Sequence, residues 1–253
     1  AVVGRERWFD SVDPVSNVFR MYGKLAPVQR TADGLSLRLP GAALTDGEVF
    51  TKPGSVAFVV ALLWATTYDG LVSTPVVGDA LGPLVDVGVP AVLLYLVVLG
   101  AGFAAFYGIY VLAARKSRET ADTYVTAGAI GRWLAPSLLP IAAGYHLAHF
   151  LGYVVSLAPT IPEVLVGAVQ QPSTGPAAVS VVLLPDWFGL VQLSFVLLGH
   201  LLAIWVAHSV AFELFPGARQ PIRSQYPTIV VMIVYTMVSA WVVIAPTSAV
   251  PYV

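Results

Sequence analysis

Five stretches of the chain, 54–72, 87–114, 134–158, 187–214 and 226–247, each hold about 20 or more mostly apolar residues, the length that crosses a bilayer's hydrocarbon. None contains Lys or Arg, and their only acidic residues, Asp69 and Glu213, lie toward the ends. With 57% hydrophobic and 11% charged residues, the chain has too little polar surface to cover a water-soluble fold. The predicted class is all-α, a polytopic membrane bundle of about five helices (53–253) behind an N-terminal segment (1–52). The lipid bilayer is then its main partner. A net charge of −1 leaves no basic excess for nucleic acid, and the absence of Cys excludes disulfides, thiolate metal sites and thiol nucleophiles.

The 13 Lys and Arg residues map the connections independently. Seven precede the first stretch, four lie between the second and third (Arg115, Lys116, Arg118, Arg132) and two between the fourth and fifth (Arg219, Arg223). The remaining connections hold none, so the positive-inside rule predicts a cytoplasmic N-terminus and an outside C-terminus in a multi-pass protein of the cell membrane.

Ahead of the spans, Asp13 is placed to cap a helix over 14–25 that starts at Pro14 and gathers Val15, Val18, Phe19, Tyr22 and Leu25 on one face. It is expected on the cytoplasmic membrane surface or docked on the cytosolic loops. Residues 27–52 look like ordered loop. The 159–186 connection reads as a surface linker, with 164–169 as a short helix or re-entrant turn. Pro136 and Pro140 predict a kink in the third span, or a helix that begins near Leu139. Two runs of small residues at four-residue spacing, Gly100/Ala104/Gly108 and Gly144/Ala148/Gly152, are expected where helices touch.

All four histidines fall inside spans: His146 and His149 in the third, His200 and His208 in the fourth. Ionisable groups are costly in lipid and usually face the bundle interior. Aligning the outer ends of these antiparallel spans puts His146 and His200 at one height, about 18–20 Å down at about 1.5 Å per residue, with His149 one turn shallower. Three imidazoles that converge there would suit a transition metal, zinc or copper. Asp69 is the carboxylate candidate for a fourth ligand, provided a helix break at Gly70 brings it deep enough, and Gln192 and Tyr145 could line the cavity or orient an imidazole. Tyr235 and Thr236 are expected to border the same cavity. His208 is expected opposite Ser137, paired with Glu213 or the basic loop.

A metal site, possible metal-dependent hydrolysis included, is the leading expectation, and other readings stay open. A single b-type haem between His146 and His200 would make the chain an electron-transfer subunit. The histidines could instead serve helix packing, in a structural subunit or a transporter.

Gly144-Tyr-His-Leu-Ala-His149, Gly199-His-Leu-Leu-Ala-Ile-Trp-Val-Ala-His208, Ser224-Gln-Tyr-Pro227, Trp8-Phe-Asp10 and Asp69-Gly70 together resemble a family of prokaryotic polytopic membrane proteins often labelled fenitrothion hydrolase. The resemblance covers most of the chain. It implies hydrolysis of an organophosphorus ester by metal-activated water held by His146, His149 and His200. Members are about twice as long, which implies that this chain is a C-terminal half that starts without Met and works with an N-terminal half or other membrane subunits. Ser209 follows His208 where the family pattern expects aspartate, which puts any role for that pair in doubt.

Overall fold

The computed structural model describes residues 4, 8–32, 34–47, 49–169 and 181–245. Five helical rods are long and apolar enough to cross a membrane. They are α2 (Ser55–Val72), α4 (Ala91–Ala121), α5–α6 (Ala127–Leu134 and Leu138–Leu157), α8 (Phe188–Leu214) and α9 (Arg219–Ile244). Before them come α1 (Pro14–Gly23) and a hairpin of β1 (Val28–Thr31) with β2 (Gly34–Leu37), paired antiparallel from Val28–Leu37 to Thr31–Gly34. Two short helices, α3 (Pro75–Asp86) and α7 (Thr160–Val169), lie in the connections.

Side-chain ties give the rods' directions. Trp64 Nε1 donates to the Leu99 carbonyl (2.8 Å) and the Tyr68 hydroxyl to that of Tyr95 (3.1 Å), so α2 and α4 are antiparallel. Tyr235 donates to the Phe106 carbonyl (2.6 Å) and Thr120 to that of Arg223 (3.0 Å), so α4 and α9 are antiparallel too. The α2, α6 and α9 rods run one way and α4 and α8 the other. All Lys and Arg of the inter-span connections therefore collect at one end, called here the basic end.

The helix limits differ from the apolar stretches for physical reasons. Helix α4 runs to Ala121, past Arg115, because a charged sequence can continue a helix into water; its 31 residues span about 46 Å, against about 30 Å of hydrocarbon. It stops at Asp122, which adopts a left-handed φ of 49°. Helix α9 begins at Arg219 and passes through Pro227. That proline cannot donate to the Arg223 carbonyl, and the Thr120 hydroxyl takes the acceptor instead. In the third span a tight turn at Ala135–Ser137 separates α5 from α6, which starts at Leu138 beside the expected Leu139.

The small-residue runs divide. Helices α6 and α8 cross with backbones in contact: a Cβ on Gly144 would lie 2.5 Å from the Phe195 carbonyl oxygen, and one on Gly199 2.5 Å from that of Pro140. The α4 run fails as a contact, since a Cβ on Gly100 or Gly108 would meet nothing within 4 Å. The α4 glycine under pressure is Gly102, against the Trp64 ring, because that large side chain fixes which face of α4 turns inward.

Helix α1 starts as expected, with Asp13 accepting from the Val15 and Ser16 backbone N–H groups at 3.2 Å each. Its apolar face is split: Met21, Tyr22 and Leu25 pack on the bundle while Val15 and Phe19 stay exposed. Further on, Arg38 clasps Asp46 through two hydrogen bonds (2.5 and 2.7 Å).

Two predictions follow from these contacts. Gly144→Ala or Gly199→Ala should cost about 1–3 kcal/mol by overpacking, while Gly100→Ala and Gly108→Ala leave stability unchanged or raised; thermal unfolding in detergent compares them. The Arg38 clasp holds the Asp46 carboxyl below its ordinary value of 3.8, mainly by hydrogen bonding. A depressed folded-state pKa makes the clasp's contribution full above the ordinary value and lost as pH falls through the depressed one. Hydrogen exchange of residues 34–46, corrected for intrinsic rates, should stay constant from pH 7 to 5 and rise only below about 4, a step absent in Asp46→Asn.

Candidate functional site

Helices α2 and α6 lie parallel, and each carries polar residues three positions apart, Thr66 with Asp69 and His146 with His149. Residues at i and i+3 share one helix face. The two faces meet in register: Thr66 Oγ1 is 2.7 Å from His146 Nε2 and Asp69 Oδ2 is 2.7 Å from His149 Nε2, a numbering difference of 80 in both pairs. Asp69 reaches His149 from an unbroken α2, so the helix break expected at Gly70 does not occur. The depth estimate went astray by aligning outer ends, whereas α6 extends beyond the level at which α2 stops. Gly70 serves close approach: a Cβ there would lie 2.4 Å from Val242 Cγ1 and 3.1 Å from the Tyr145 hydroxyl.

The three imidazoles do not converge. Gly144 and Gly199 mark the α6–α8 contact; His146 is about 200° around α6 from the first and His200 about 100° around α8 from the second. Matched depth therefore leaves the rings on different sides. His146 faces α2 and α1, where Tyr22 brings its hydroxyl to 2.8 Å from Nδ1. His200 faces α9, where its Nε2 meets the Thr236 hydroxyl. Among the described residues, no three His, Asp or Glu side chains stand close enough to hold one metal ion.

Hydrogen bonds also separate the histidines chemically. Nδ1 of His146 lies 2.8 Å from the Ala142 carbonyl and Nδ1 of His200 2.7 Å from that of Val196. A carbonyl only accepts, so in both rings Nδ1 carries the proton, and the single proton of the threonine hydroxyl beside Nε2 is shared with that threonine's own helix carbonyl, Leu62 for Thr66 (3.1 Å) and Met232 for Thr236 (2.6 Å). His149 is arranged the other way. Its Nε2–H donates to the Asp69 carboxylate, and its Nδ1 lone pair has no hydrogen-bond partner among the described residues. The axial nitrogens that a haem between His146 and His200 would use are both engaged by hydroxyls.

His149 lines a cavity of about 240 Å³ at the end of the bundle opposite the basic one, together with Ser73, Tyr145, Ser156 and Gln192. Its ring lies parallel to that of Tyr145 (centroids 6.1 Å apart, 8° between planes) and edge-on to Tyr153 (5.3 Å). Gln192 is fixed by donating to the Ala148 carbonyl (2.8 Å). The Tyr145 hydroxyl is buried, with the residue 1% exposed, and has no hydrogen-bond partner among the described residues. A buried donor left unmatched costs about 1–3 kcal/mol, and such groups in folded proteins usually have a role.

Other expected members stand apart. His208 is exposed, packs on Phe212 (4.6 Å) and makes no hydrogen bond or ion pair among the described residues. Glu213, five residues on and about 140° around α8, cannot share its face and lies beside Gly47. Ser137 is buried and donates to the Leu134 carbonyl (2.7 Å). Tyr235 turns to α4, stacked on Phe106 (4.5 Å), which leaves Thr236 to reach the histidine. The sequence analysis missed Thr66 and Tyr22. Thr66 was legible in the matched i, i+3 spacing of the two helices, whereas nothing in sequence signals a contact across 124 positions from Tyr22 to His146.

None of the family models, curated proteins or solved structures compared with the chain matches it. Function therefore has to be argued from the site itself.

Tyr22→Phe should loosen α1 from the bundle. Hydrogen exchange over residues 14–23 is expected to quicken, with a loss of about 1 kcal/mol for one hydrogen bond, while exchange in α9 stays unchanged.

Proposed function

We propose that this multi-pass membrane protein is a hydrolase whose working centre is the cavity of His149, Asp69 and Tyr145, opening on the outer face of the cell membrane. Asp69 holds the ring so that Nδ1 is the basic nitrogen, the arrangement a general base requires. His149 removes a proton from water as the water oxygen bonds to the electrophilic centre of an ester; the alcohol or phenol leaves and takes up a proton. Tyr145, whose ring lies parallel to the imidazole, packs against it and helps hold it at the cavity wall. The observation that carries this reading is the Asp69–His149 pair at a cavity wall, with His149 Nδ1 unengaged among the described residues. No cation is among the described lining residues and Asp69 lies behind the ring, so a small neutral ester is the favoured substrate class. The neutral organophosphorus ester implied by the resemblance is of that class.

The His146–His149–His200 set does not fit a resident zinc or copper ion, because two of its rings are committed to other helices. A metal-dependent variant of the same proposal places His149 Nδ1 on the ion with Asp69 bonded to the ring's other nitrogen, a common way of orienting a histidine ligand.

The purified protein in nanodiscs should hydrolyse a neutral chromogenic aryl phosphotriester or carboxylic ester. His149→Ala is expected to lower kcat by about 10²–10⁴, and Asp69→Asn, which removes the carboxylate that orients the ring, to lower it as well. Wild-type rates in the variants would overturn the assignment. Rates that vanish with chelator and return with zinc or copper would select the metal-dependent form.

A further inference from the structure

A second cavity, of about 830 Å³, lies at the basic end between the start of α2, the later turns of α4 and α5. Three cations line it, Lys52, Arg115 and Arg132, and no carboxylate is among its described lining residues. The balance follows the charge asymmetry of the bundle, whose inter-span connections hold their Lys and Arg at this end. A neighbouring surface depression that shares Arg115 shows the ordinary mixture, with Glu119 and Asp122 opposite Arg115 and Arg118. The α2 helix also starts here at Ser55 behind Gly54, which has a φ of 84° and no side chain to cap the first N–H groups. Those groups add a partial positive charge on the same side.

The rest of the lining is graded. Val56 lies in the first turn of α2 beside Ser55, and Val111 and Tyr107 lie one and two turns before Arg115 on α4. The Trp64–Leu99 and Tyr68–Tyr95 ties bring the first turn of α2 level with about Gly108 of α4, so Arg115 projects roughly 10 Å beyond it at about 1.5 Å per residue. Along α4 the lining thus passes from apolar Tyr107 and Val111 to a cationic mouth at Arg115 over about two turns. A soluble phosphate would use only the mouth, whereas a phospholipid fills both.

We propose that this groove binds the phosphate group of an anionic phospholipid, with acyl chains along Val56, Tyr107 and Val111. Basic pockets between spanning helices near a charged leaflet have this chemistry. The site is separate from the His149 cavity and does not depend on the hydrolase proposal.

The purified protein is titrated with phosphatidylglycerol or phosphatidylcholine, bound lipid being counted by native mass spectrometry and thermal unfolding followed in parallel. Phosphatidylglycerol is expected to bind preferentially and raise Tm. Arg115→Gln and Arg132→Gln should each weaken it about fivefold, while Arg118→Gln, outside the groove, has little effect. Both arginines are exposed, and lipid-free unfolding of the variants checks that they fold. Arg115→Lys should restore most of the binding. Equal retention of the two lipids, or unchanged affinity in both Gln variants, overturns the proposal. Inorganic phosphate that binds as tightly as the lipid and displaces it overturns the lipid assignment in favour of a soluble phosphate ligand.

Discussion

In hydrocarbon, a polar side chain that misses its partner has no water to turn to, and this constraint governs the middle of the bundle. Thr66 with His146, Asp69 with His149 and Thr236 with His200 are three answers to it, each made across a different helix or turn. Tyr235 and Trp64 answer it by donating to backbone carbonyls of α4. Among the described residues of the spans, the Tyr145 hydroxyl and His149 Nδ1 stand out from that background, and both residues line one cavity.

The exceptions depend on close packing around them. Contact between α6 and α8 at Gly144 and Gly199 brings Gln192 within reach of the Ala148 carbonyl. Gly70 lets Val242 and the Tyr145 hydroxyl come up to the backbone of α2. Glycine acts here through the absence of a side chain rather than through unusual backbone angles, since both contacts are made within regular helices.

The fold was largely legible in the sequence and the site only in part. Long apolar runs and segregated charges locate the spans because bilayer thickness acts on every residue of a span at once. Helix ends were less legible: Arg115 to Ala121 continue α4 as charged helix, and Pro227 is tolerated because Thr120 takes the Arg223 carbonyl. The β1–β2 hairpin is harder to see because its strands are only four residues each and Val28–Thr31 does not alternate, although Leu35, Leu37 and Leu39 alternate with Ser36 and Arg38 behind Asp33-Gly34. Within the site, Asp69, Tyr145, His149 and Gln192 were all singled out and do lie together. Depth without rotation does not place a ring: His146 and His200 lie within about one turn in height, but the angle around each helix is set by where Gly144 and Gly199 touch, which spacing along one chain does not specify.

The common offset of 80 between α2 and α6 has a mechanical corollary. Two polar pairs one turn apart on parallel rods act like teeth in a rack. A slide of an ångström or two along the axis would strain both at once, and the next position at which such teeth could mesh lies a full turn away, about 5.4 Å. The pair of helices is therefore stiff in shear, and the α8 wall that bears Gln192 is tied to it in turn through the Ala148 carbonyl, so the His149 cavity is braced on both sides.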